Sequence, residues 1–101
     1  LHDALPIFIQ SYVDKIRKRG GEVVFVRFPT SGEVHRLESK YYSRSDYWVK
    51  YVESLDAVTI HFEDHPELRQ FELPDGRHLD YRDARVFSRE LAELIVEEEV
   101  L

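Results

Sequence analysis

The chain contains no cysteine, no asparagine and no methionine. Without cysteine it has no disulfide framework, no thiol nucleophile and no thiolate to hold a metal. Long apolar runs are missing too. No stretch approaches the roughly 18 to 20 residues that span a bilayer as a helix, and the first residues do not pair a charged segment with an apolar one. Membrane contact is therefore not expected of this segment. Positive charge is in deficit, with 14 Lys and Arg against 20 Asp and Glu and a net charge of -6. Such a balance repels a phosphate backbone unless the basic residues gather on one face, so nucleic acid is not an expected partner. What is present is 101 residues, 43% of them apolar, enough for one small domain and too few for two.

The opening residues 1–7, Leu1-His2-Asp3-Ala4-Leu5-Pro6-Ile7, fit poorly with the rest of the chain and resemble the translation of a sequencing-library adapter. Residues 8–101 are then expected to be the C-terminal fragment of a single longer domain. From Phe8 the apolar positions Ile9, Tyr12, Val13 and Ile16 recur at helical spacing, basic residues collect near the end, and Gly20-Gly21 stops the pattern. Glu22 to Phe28 reads as a strand whose apolar centre, Val23 to Val26, predicts burial on both faces. Gly32 to Tyr41 predicts a helix with Val34 and Leu37 inward. Ser43, Ser45 or Asp46 is placed to cap a following helix that carries Trp48, Val49, Val52 and Leu55. Ala57 to Phe62 alternates and is rich in β-branched residues, as a second strand would be. His65-Pro66-Glu67-Leu68 opens a short helical turn, and Leu73-Pro74-Asp75-Gly76 is a turn signal. Asp80 is placed to cap a last helix with Ala84, Phe87, Leu91, Leu94 and Ile95 on one face; Glu97-Glu98-Glu99 at its end predicts fraying. Two strands separated by helical crossovers imply βαβ connectivity and an α/β class, with further strands expected upstream.

The segment Asp75-Gly76-Arg77-His78, just before the last helix, is the sharpest chemical signal. Across a glycine-containing turn the Asp75 carboxylate can reach one ring nitrogen of His78 while the other faces a cleft. A general base needs that arrangement, because the acid sets the tautomer and stabilises the imidazolium. The same spacing also serves a purely structural turn or a ligand contact.

The block from Pro74 to Phe87 resembles the C-terminal block of SGNH/GDSL-type hydrolases, in which an Asp-x-x-His pair precedes the final helix. The resemblance implies the C-terminal part of an α/β/α three-layer parallel-sheet domain, with His78 as catalytic base and Asp75 as its orienting partner. It also implies a nucleophilic serine in an upstream Gly-Asp-Ser block and an asparagine oxyanion donor; neither is in this chain. The implied reaction is hydrolysis of a small-molecule or carbohydrate ester through a serine-bound intermediate, without a cofactor or metal. A carbohydrate O-acyltransferase shares that site, and a noncatalytic structural or protein-interaction module is the alternative from another class.

Ser31, in the loop after the first strand, is placed as a nucleophile, a cleft residue or a turn residue, but lacks the glycine-flanked elbow of a serine nucleophile. Arg27 and Arg36 are placed near that loop, and Arg77 is either solvated or an anion contact. His61, Asp64, His65 and His78 are ligand types for zinc or iron, yet their spacing does not put them on one centre. The rings of Tyr41, Tyr42, Tyr47, Trp48 and Tyr51 read as packing with a wet edge rather than as a stacking platform. No residue pattern assigns a compartment or an oligomeric state.

Overall fold

The structure, a computed structural model, describes residues 4–98. Its elements run α1 (Leu5–Lys18), β1 (Val24–Arg27), α2 (Gly32–Tyr41), a π-helical segment (Ser45–Glu53) and β2 (Val58–His61). A 3-10 turn (Phe62–Asp64), the single-turn α3 (Pro66–Arg69) and the long α4 (Tyr81–Glu97) complete the order. This is a small mixed α/β domain in which helices flank a two-stranded parallel sheet.

The termini of α1 are explained by its residues. Pro6 occupies the first turn, where its missing N–H costs nothing, and Lys15, Arg17 and Lys18 sit at the negative pole. Gly20, at φ +86°, closes the helix: Gly20 N–H donates to the Arg17 carbonyl at 2.9 Å and Gly21 N–H to that of Ile16 at 3.0 Å. These two bonds make a Schellman motif, and its left-handed position is the reason for glycine there. The helix begins at Leu5 rather than near Phe8, so it includes Leu5, Pro6 and Ile7.

The sheet pairs Val24 with Val58, Phe25 with Thr59, Val26 with Ile60 and Arg27 with His61. Alternation puts Val24, Val58 and Ile60 on the face that meets α4. There Ile60, Phe62, Leu68, Phe87 and Leu94 form the core, with Leu79, Leu91 and Ile95 packed against it. Burial of β1 on both faces is not found. All four of its residues are half-buried, because in a two-stranded sheet the strand has a neighbour on one edge only.

In α4 the expected apolar face and cap are both observed. Asp80 Oδ1 accepts the N–H groups of Arg82 and Asp83, each at 2.9 Å, satisfying two donors that the first turn leaves open. Glu97 ends the helix, and Glu99 lies outside the described residues. In α2, Leu37 faces solvent, 40% exposed, and no residue of that helix is fully buried. Its inner side presents His35 and Glu38, which face a cleft instead of the core. The segment after it is π-helical, so its repeat is wider than the 3.6 residues that its apolar spacing predicted. Ser43 contributes the one side-chain bond at its start, accepting the Asp46 N–H at 3.3 Å, and Ser45 caps nothing.

The molecule is flat, 39 × 32 × 19 Å, with a radius of gyration of 14.9 Å. A compact chain of this length has a radius of about 13 Å. Its accessible surface of 7316 Å² also exceeds the roughly 6000 Å² expected for its mass. Both values reflect a sheet of only two strands. Among the described residues no helix is long and apolar enough to cross a membrane.

Candidate functional site

The loop between α3 and α4 brings Asp75 and His78 together. Asp75 Oδ1 accepts the backbone N–H groups of Arg77 at 2.9 Å and His78 at 2.7 Å, while Oδ2 lies 2.6 Å from His78 Nδ1. One carboxylate thus closes the turn and orients the ring. With Nδ1 held by an ionised acceptor, the neutral imidazole carries its proton there, and Nε2 is left as the basic nitrogen. The Arg77 amide, then the His78 ring and the His78 amide, hold the Asp75 carboxyl far below the usual carboxylate range. The pair lies in water, with the His78 side chain 80% exposed and that of Asp75 57% exposed.

The loop is anchored to the start of α2 through Ser31. Leu73 N–H donates to Ser31 Oγ at 3.0 Å, the hydroxyl points back to the Leu73 carbonyl at 3.4 Å, and Ser31 N–H donates to the Gly76 carbonyl at 3.0 Å. Ser31 is therefore a loop tie. Its hydroxyl is engaged in both directions and gives no side-chain cap to α2. Gly76 sits at φ +81°, and a Cβ there would come within 2.7 Å of Val34 Cγ2 and 3.0 Å of the Ser31 carbonyl oxygen. Gly76→Ala is expected to cost about 1–3 kcal/mol from the left-handed backbone and the crowding together. Urea denaturation measures the cost. Faster amide exchange at Arg77 and His78 would show that the turn itself has opened.

A cleft of about 820 Å³ opens at the carboxyl ends of both strands, the edge where parallel sheets build their sites. Arg27 and His61, the last residues of β1 and β2, form its floor. Glu38 from α2, Tyr47, Trp48 and Tyr51 from the π-helical segment, and Arg77 from the Asp75 loop stand around it. Asp75 and His78 lie outside the cleft, and Arg77, between them in sequence, reaches in. Tyr47 and Tyr51, four residues apart in the π-helical segment, share one side of it, their ring centroids 6.2 Å apart.

His61 is buried, 5% exposed. Its Nδ1 accepts the Glu63 N–H at 3.2 Å, so the neutral ring carries its proton on Nε2. Burial first, then the nearby Arg44 guanidinium, push its pKa down. The ring stacks on Phe62 at 5.3 Å and receives the edge of Trp48 at 5.3 Å. Trp48 Nε1–H is buried there without an acceptor among the described residues. An unmet buried donor costs about 1–3 kcal/mol. Trp48→Phe removes the donor and keeps a ring, so the urea midpoint is expected to stay or rise; a loss beyond about 1 kcal/mol would reveal an acceptor.

Ion pairs occupy most of the charges around the cleft. Arg27 pairs with Glu38, and Arg44 makes a bidentate pair with Asp64 at 2.8 and 2.6 Å. His35 Nε2 lies 3.7 Å from Glu63, with Thr30 Oγ1 3.1 Å from Nδ1. The Arg77 guanidinium has no acidic partner among the described residues.

The candidate metal ligands separate. Asp64 is held by Arg44, His65 lies 3.5 Å from Glu67, His78 is on Asp75, and His61 is inside the fold. Among the described residues no group of three or more metal-ligand side chains converges. Arg36 pairs with Glu33 on the outer face of α2, away from the cleft. The tyrosines expected to pack are largely exposed, Tyr42 at 63% and Tyr47 at 45%, and they wall the cleft. Tyr42, Tyr47 and Tyr51 fall within ten residues, and Tyr47 and Tyr51, four apart, share a face at 3.6-residue spacing, but that spacing does not show whether the face meets the core or a cleft. No protein-family model, curated protein or solved structure matches the chain.

Proposed function

We propose that Asp75 and His78 are the orienting acid and general base of a serine-dependent ester hydrolase of the SGNH type. In this reading the chain is the C-terminal part of a three-layer α/β/α domain, and the nucleophile and oxyanion donors come from upstream sequence. The observation that supports it is the 2.6 Å contact from Asp75 Oδ2 to His78 Nδ1, immediately ahead of the last helix. It leaves His78 Nε2 to take a proton from a serine hydroxyl as the serine oxygen attacks the acyl carbon. The imidazolium then returns that proton to the leaving alcohol, and water repeats the sequence to release the acid. Asp75 holds the ring and offsets the charge that forms on it. A sugar hydroxyl in place of that water makes the same site an O-acyltransferase.

The 101-residue chain by itself is expected to hydrolyse no ester, since it supplies only half of this machinery. In a protein that includes the upstream serine, Asp75→Asn is expected to lower kcat by about 10- to 100-fold. The exposed pair is worth less than a buried one, and the loop loses its ionised acceptor. Ester hydrolysis followed across pH measures this. Unchanged kcat in the folded variant would leave the pair as a loop clamp and favour the noncatalytic module.

A further inference from the structure

The cleft beside the Asp75 loop has a composition that selects a ligand class. Tyr47, Trp48 and Tyr51 give it an aromatic wall, and two of those three rings end in a hydroxyl. A flat apolar surface with polar tips suits a ring that has C–H faces and hydroxyl edges, because both halves of the surface are then used. Glu38 and Glu63 add acceptors for such hydroxyls. Arg77 adds the distinguishing feature. The other two guanidiniums lining the cleft are paired, Arg27 with Glu38 and Arg44 with Asp64, whereas Arg77 has no acidic partner among the described residues. A guanidinium fork matches a carboxylate in bidentate geometry, and a neutral ligand would leave that capacity unused.

We infer that this cleft binds a carboxylated sugar, with the sugar ring on the wall of Tyr47, Trp48 and Tyr51 and the carboxylate on Arg77. This stands on the cleft alone and does not need the hydrolase reading. Trp48 is the chain's single tryptophan, so its emission reports directly on the wall. Three probes separate the parts of the claim: galacturonate has ring, hydroxyls and charge, galactose lacks the charge, and cyclohexanecarboxylate lacks the hydroxyls.

Titration of the 101-residue chain is expected to give a saturable change in Trp48 emission with galacturonate. Each of the other two probes should bind at least about tenfold more weakly, galactose for want of the charged contact and cyclohexanecarboxylate for want of the hydroxyl hydrogen bonds. Arg77→Gln should weaken galacturonate by about tenfold or more, with unchanged circular dichroism, and Arg77→Lys should retain part of the affinity because it keeps the charge without the fork. No saturable response to galacturonate overturns the inference. Equal binding of galactose or full affinity in Arg77→Gln removes the role of Arg77 and overturns it as well. Equal binding of cyclohexanecarboxylate overturns it too, assigning the cleft to apolar acids instead of sugars. The comparison of the three probes on the unaltered chain decides the matter even if a variant misfolds.

Discussion

Phe87→Ala is expected to abolish cooperative folding or bring the chain to the edge of it. Phe87 is 3% exposed in α4, with Phe28 at 5.5 Å and Phe71 at 6.1 Å, and belongs to the same cluster as Ile60 and Leu68. Truncating a buried phenylalanine costs about 3–5 kcal/mol, through lost transfer energy and the cavity left behind. A domain of this length has about 5–15 kcal/mol in total. The flat shape and large surface put this chain at the lower end of that range, since apolar burial scales with enclosed core. Urea denaturation followed by circular dichroism should show a transition that is broadened, shifted to low urea or lost. Phe8→Ala provides the contrast: that ring is 64% exposed, and its removal should change stability by no more than about 0.5 kcal/mol. A loss under about 1 kcal/mol for Phe87→Ala would contradict the placement of the core.

His78→Ala is expected to reduce ester turnover by about 10³-fold in a protein that carries the upstream serine, while leaving the fold intact. The ring is mostly in solvent and packs against nothing in the core, so its removal leaves no cavity. The loop keeps its tie, because Ser31 bonds to backbone atoms of Leu73 and Gly76 and does not depend on the imidazole. Asp75 also keeps its two backbone donors. What is lost is the proton acceptor for the serine hydroxyl, and proton transfer of this kind is worth about 10²–10⁴ in rate. His78→Ala should therefore cost more than Asp75→Asn, which leaves the base in place with poorer orientation. Equal rates for the unaltered protein and His78→Ala, with circular dichroism unchanged, would remove His78 from the chemistry.

The residues that folded as their sequence implied are those whose partners are local. Gly20-Gly21 closes α1 because glycine alone takes the left-handed position without strain. Asp80 caps α4 because a carboxylate there reaches the N–H groups two and three residues on. The Asp75–His78 contact belongs to this group, since a turn over three residues brings the two side chains together whatever surrounds it. Two departures share a cause of another kind. Leu37 lies on an apolar stripe of a helix, yet faces solvent because α2 packs its His35 side toward the strand ends. Val23 to Val26 reads as a doubly buried strand, yet all four residues of β1 are half-buried because the sheet has only two strands and leaves it an open edge. In both, the composition was right and the neighbour was not the expected one.

The sequence by itself determined the α/β alternation, the two strands, the end of the first helix, the start of the last, and a histidine with a carboxylate at hydrogen-bonding distance, all read from residues close together in the chain. Only the tertiary structure decided that Ser31 ties the Asp75 loop to α2, across 42 residues from Leu73. It also separated His61, Asp64, His65 and His78 onto different partners and turned a run of tyrosines into the wall of a cleft that Arg77 enters from a distant loop. Those outcomes depend on which faces meet when the strands pair in parallel, and no spacing along the chain carries that information.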